Sequence, residues 1–171
     1  DCSVWVTSPG WNHVVVANPI TFDPIDIWRP NPDHGRFKNK VRPPYDYNHF
    51  NSIWFERDDG KDYVYLVAHN FTRTAEIWKF TYPELKLVNI SKQGKYAHNV
   101  CRIKYKLVTL GGEDEEYWGR GMAVSDKHVY VGRSQYVKDR KKRLESYNGS
   151  VVVYDRRNNK ITDIPINKGE V

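Results

Sequence analysis

The chain has 171 residues, enough for one domain with a sizeable core, and carries a formal net charge of +6. Only 39% of it is hydrophobic while 14% is aromatic, with one Met and two Cys. That balance argues against a helical bundle, and two cysteines without a CxxC pair argue against a disulfide scaffold or a thiolate zinc site. No apolar run approaches the ~18 residues of a membrane span.

β-branched and aromatic runs such as Val14-Val15-Val16, Val64-Tyr65-Leu66-Val67 and Val151-Val152-Val153-Tyr154 predict an all-β class. In chain order, strands are expected at Val4 to Thr7 and His13 to Ala17. The segment from 20 to 47 is proline-rich, with Pro24, Pro30, Pro32, Pro43 and Pro44, and reads as extended loop.

A four-stranded unit follows: His49 to Glu56, a turn around Asp59-Gly60, Tyr63 to His69, Glu76 to Tyr82, a break at Pro83, and Leu85 to Ile90. Residues 97 to 112 supply two strands of another unit, Asn99 to Tyr105 and Leu107 to Leu110, and then an acidic run, Glu113-Asp114-Glu115-Glu116. The last unit repeats the first plan. Its strands are Gly121 to Ser125, His128 to Arg133, Gly149 to Asp155 and Lys160 to Ile166, with a long basic loop between the second and third.

Four antiparallel strands in about 42 residues is the size of one propeller blade. The expected architecture is therefore a β-propeller-like array of four-stranded antiparallel blades within a single domain spanning 1–171. About three to four blades are visible, which makes the array either a small propeller or a fragment of a larger one; the ends, each mid-element in character, favour the fragment.

One phrase recurs at the start of successive inner strands: Asn48-His49-Phe50-Asn51-Ser52-Ile53, then Ala97-His98-Asn99-Val100, then Gly119-Arg120-Gly121-Met122 with arginine in place of histidine. Val67-Ala68-His69-Asn70 closes a second strand. In a blade, the start of the first strand and the end of the second lie at the same end. His49, Asn51, His98, Asn99, Arg120, His69, Asn70, Arg133 and Ser134 are accordingly expected on one rim.

His49, His69 and His98 are the candidate metal ligands, for zinc, iron or manganese. Calcium is the alternative if Asn51, Asn70 and Asn99 dominate. Asn51, Asn99, Arg120 and Arg133 are the candidate ligand-binding residues, the arginines suiting a carboxylate, sulfate or phosphate. The competing explanation is structural: inner-strand His and Asn hydrogen-bond the backbone of the neighbouring blade. His13, His34 and His128 read as surface or turn residues.

Gly119 to Val124, Val129 to Ser134 and Gly149 to Arg156, with the tail Ile164 to Val171, resemble the closing blades of an uncharacterised group of conserved bacterial β-propeller proteins. His49-Phe50-Asn51-Ser52-Ile53 is similar to the His-x-Asn strand opening seen there and in arylsulfotransferase-like propellers. The resemblance covers about half the chain. It implies the fold more than an activity, since one fold hosts many functions.

The expected function is a ligand-binding or interaction propeller with a His/Asn/Arg-lined central face. The alternative is a metal-dependent hydrolase or sulfotransferase-like enzyme on the same histidines, so the residues leave open whether catalysis occurs. A small molecule, a glycan, a protein or the remainder of a larger propeller are the partners considered. The basic run Lys138 to Arg143 could face polyanions, but no nucleic-acid motif accompanies it. Three sequons, at Asn70, Asn89 and Asn148, lean slightly toward an exported protein.

Overall fold

A computed structural model describes residues 2–30, 48–70, 74–95, 97–103, 106–110, 117–135 and 149–166. The chain divides into two compact units, Asp1–Ala97 and His98–Val171. Thirteen strands and one short 3-10 turn, Pro9–Trp11, make up the regular structure among these residues, with no α-helix. The fold is all-β, built of antiparallel meander sheets of the propeller-blade kind.

The first unit opens with β1 (Val4–Ser8), β2 (His13–Ala17) and β3 (Pro24–Trp28), hydrogen-bonded in that order. β3 lies inside the segment read from sequence as extended loop. Its proline is the first residue of an edge strand, where no donor to the ladder is lost, so proline content alone did not exclude a strand there.

A four-stranded sheet follows: β4 (Phe50–Asp58), β5 (Lys61–Ala68), β6 (Thr74–Tyr82) and β7 (Leu87–Lys95). Asp59 and Gly60 have φ of 48° and 74°. Positive φ at both central residues is what the two-residue β4–β5 hairpin demands, and Asp-Gly supplies it at low cost.

The core of this unit lies between the two sheets. Val14, Phe50, Val64, Leu66, Ala68, Trp78 and Phe80 are buried, with Trp5, Trp28, Ile53, Tyr82 and Leu85 packed against them. Trp5 meets Trp28, Phe55 and Tyr82 edge-on at 5.9, 5.1 and 6.0 Å, and Trp28 meets Phe80 at 4.8 Å. Edge-to-face rings put the positive ring rim on a negative face, adding to the burial of large apolar area. Aromatic residues thus replace the aliphatic volume that the composition lacks.

The second unit holds the hairpin β8 (His98–Ile103) and β9 (Lys106–Leu110), then the sheet β10 (Tyr117–Val124), β11 (His128–Gln135), β12 (Gly149–Asp155) and β13 (Lys160–Ile166). Val129, Val131, Val152, Val153, Val100 and Cys101 are buried here. In each unit the first strand of one sheet lies beside the first strand of the next, β1 by β4 and β8 by β10, the neighbour relation that propeller blades use.

Cys101 is a free buried thiol and Cys2 a free exposed one. Burial pushes the Cys101 thiol up to about 11, against a smaller opposing pull from Arg156. No described helix is long and apolar enough to cross a membrane.

Candidate functional site

The recurring phrase turns out to encode a backbone irregularity. The ladder slips between Phe50 and Ser52 in β4, between His98 and Val100 in β8, and between Gly119 and Met122 in β10. Each is an extra residue near the start of a first strand. Such a bulge bends the strand and re-aims the side chains around it. Asn99 and Gly121 have φ of 49° and 76°, and His49 just ahead of its bulge has 49°. Asn, Gly and His are the residue types that tolerate this left-handed region best, which explains their recurrence.

Asparagine amides then tie these strand starts to backbone within the same unit. Asn12 Oδ1 accepts hydrogen bonds from the backbone N–H of Asn48 (2.9 Å) and His49 (3.0 Å), joining the turn before β2 to the start of β4. Asn51 Nδ2 donates to the carbonyl of Ala97 at 3.3 Å, the residue just before β8. In the second unit, the backbone N–H of Gly121 donates to Asn99 Oδ1 at 3.0 Å, joining β8 to β10. Asn51 and Asn99, candidate ligand contacts by sequence, thus each bond backbone within their own unit.

Around the start of β4 the clasp widens into a buried frame. Asn48 Nδ2 donates to Asn70 Oδ1 (3.2 Å), and Asn70 Nδ2 donates to the Thr74 carbonyl (3.1 Å). The Asn70 and His69 amides donate to the carbonyls of Asn48 and His49 at 3.1 and 3.3 Å. One polar network therefore holds the turn before β2, the start of β4, the end of β5 and the start of β6. Asn12, Asn48 and Asn70 are 3%, 4% and 8% exposed. Buried amides are tolerated there because their hydrogen bonds are made within the frame.

Two imidazoles stand on this frame. The rings of His49 and His69 are 5.1 Å apart between centroids, tilted by 55°. His69 is buried and His49 half-buried, so His49 is the ring more open to solvent. Asn12, His49 and Asn70 all have positive φ, of 50°, 49° and 53°. Three non-glycine residues in the left-handed region at one place is stored backbone strain, a feature that gathers at functional sites.

The remaining sequence candidates belong to the second unit. His98 starts β8 in the second unit. Arg133 lies in β11, where its Nη2 donates to Tyr154 Oη at 2.8 Å. Arg133 also helps hold the Asp163 carboxyl below its ordinary range, behind hydrogen bonds from Ser150 and Lys160 and the Lys160 charge. Arg120 belongs to β10, and its side chain lies outside the described residues. The same holds for the Tyr117 and Trp118 side chains. His34, the acidic run 113–116, the basic run 138–143 and the acceptor of the third sequon also lie outside them. Among the described residues, no three His, Cys, Asp or Glu side chains group so as to hold a metal ion.

Of the sequons, Asn70 is buried with its amide committed to the frame, whereas Asn89 is exposed in the outer strand β7. Asn12 and Asn48 were not singled out by sequence reasoning. A signal existed: Asn12-His13 opens β2 with the same dipeptide as Asn48-His49.

No protein-family model matches the chain, and no curated protein does. Among solved structures, the chain is similar to the dihydro-heme d1 dehydrogenase NirN in complex with DHE, at 11% identity and a TM-score of 0.48. The match covers 98% of this chain and 38% of that one, so the chain spans well under half the length of its structural neighbour.

Proposed function

We propose that the chain is a ligand-binding module of the propeller kind, whose first unit presents the His49–His69 pair to a small polar ligand. The observation that carries this reading is the pair itself: two adjacent imidazoles fixed on a strained, buried asparagine frame. Imidazole nitrogens take a divalent transition metal or a carboxylate or phosphate oxygen. The clasping asparagines contribute rigidity, so little order is lost when a ligand binds.

The enzymatic alternative, a metal-dependent hydrolase or sulfotransferase-like activity, draws on the same pair. Two protein ligands leave positions on a metal for water and substrate, so the remaining donors would come from outside the pair.

Calorimetric titration of the purified chain with Zn²⁺, and separately with phosphate, sulfate and acetate, tests the reading. His49→Ala serves as the site variant, with circular dichroism to confirm folding. Saturable binding to the wild type that weakens at least tenfold in His49→Ala is expected for one of these ligands. Absence of binding to all of them, or binding unchanged in folded His49→Ala, would overturn the assignment.

A further inference from the structure

The turn that joins β1 to β2 is held from within and from outside. Pro9 opens its 3-10 segment with a φ set by the ring, and the Asn12 N–H donates to the Pro9 carbonyl at 3.1 Å. Asn12 Oδ1 then ties the turn to the Asn48 and His49 amides. On this fixed turn Trp11 is 54% exposed. Its indole stands beside the His13 imidazole, with centroids 6.5 Å apart and planes tilted by 31°.

Strand register brings a guanidinium to the same place. Val15 pairs Ile27 and Val14 pairs Trp28, so the chain positions one step further on are His13 and Arg29. Alternation sets His13 on the face of Val15 and Arg29 on the face of Ile27, which is one and the same face. Trp28 lies on the other, against the core. Arg29 is exposed and His13 half-buried. Burial first, and then the Arg29 charge, lowers the His13 pKa from 6.5, outweighing a hydrogen bond with the Trp11 backbone. At neutral pH the imidazole is therefore an uncharged ring, and the guanidinium carries the positive charge of the cluster.

A single exposed indole would be ordinary protein surface. Here an indole, an imidazole and a guanidinium meet at one pinned turn of the first unit. We propose that Trp11, His13 and Arg29 form a binding site for a flat aromatic carboxylate, its ring lying on the Trp11 and His13 rings and its carboxylate taking the Arg29 fork. Aromatic side chains offer a large contact area for little lost rotamer freedom, and the fixed turn lowers the ordering cost further. A planar guanidinium pairs a carboxylate through two parallel hydrogen bonds, which orients the ligand as well as attracting it. Neighbouring strands run about 4.8 Å apart, a spacing that a ring with a directly attached carboxylate can bridge. The site goes beyond the reading above, because none of its three residues belongs to the imidazole pair or to its asparagine frame.

Calorimetric titration of the 171-residue chain with 1-naphthoate, acetate and 1-naphthylmethanol separates the contributions of ring and charge. The wild type is expected to bind one equivalent of 1-naphthoate, at least tenfold more tightly than either acetate or the neutral alcohol. Trp11→Ala and Arg29→Gln alter exposed side chains, so both should stay folded by circular dichroism, and each should weaken 1-naphthoate at least tenfold. Trp11→Phe keeps a ring at the same place and should stay within about threefold of wild type. No saturable binding of 1-naphthoate, acetate or the alcohol binding as tightly, or folded Trp11→Ala or Arg29→Gln binding like wild type would each overturn the proposal.

Discussion

Replacing Asn12 by Ala removes one oxygen that serves two backbone donors. Asn48 N–H lies 2.9 Å and His49 N–H 3.0 Å from Asn12 Oδ1, the first fully buried and the second partly so. An orphaned buried donor costs about 1–3 kcal/mol, and water can reach the His49 amide more easily than the Asn48 amide. Alanine must also hold φ near 50° at this position, which costs a further ~1–2 kcal/mol. The expected loss is about 3–5 kcal/mol, a large share of the ~5–15 kcal/mol that stabilises a typical domain. Asn12→Gly removes the acceptor without the left-handed strain, so it should lose ~1 kcal/mol less than Asn12→Ala.

Urea unfolding followed by tryptophan fluorescence reads this directly, since Trp5 and Trp28 lie in the same unit as the frame. Amide hydrogen exchange at Asn48 and His49 reads it locally. A folded Asn12→Ala protein within 1 kcal/mol of wild type, with both amides still protected, would refute the clasp as the element that holds the start of β4.

The two thiols should separate kinetically: at pH 8 a disulfide reagent should label exposed Cys2 rapidly and leave Cys101 unreacted until the protein is unfolded, giving one fast equivalent. Above pH 9 the unfolded chain loses the Cys101 proton first, so stability should fall as pH rises toward 11, and Cys101→Ala should abolish that dependence. His13 behaves in the opposite sense. Desolvation first, then the Arg29 charge, lowers its pKa from 6.5, so the unfolded chain binds the proton more readily. Stability should therefore decline as pH falls below 6.5, and His13→Gln should flatten that slope in acid titrations monitored by fluorescence. Gly121→Ala, at φ 76° with open space around it, should cost about 1 kcal/mol from backbone strain alone in a thermal melt; a cost near zero would contradict the left-handed bulge in β10.

The phrase around His49, His98 and Arg120 shows where reading from sequence stops. Its recurrence is visible, and so is its place near the start of the first strand of a sheet. What it encodes, a bulge with left-handed residues, was not, because a one-residue slip is defined by the partner strand. The Asp59-Gly60 hairpin needed no partner information, since its turn geometry is set by two adjacent residues. β3 is hidden by its proline, since only the sheet order makes Pro24 the first residue of an edge strand.

Local chemistry therefore determined the all-β class, most strand positions and the hairpin turns, because alternation and turn residues act over two to eight positions. Which backbone groups a polar side chain bonds was decided by tertiary structure alone. Asn51 and Asn99 became clasps, and Asn12 and Asn48 the frame beneath His49 and His69, through contacts spanning 22 to 46 residues. The physical reason is that a buried amide must find a partner wherever the fold brings one, and that choice is made in space rather than along the chain.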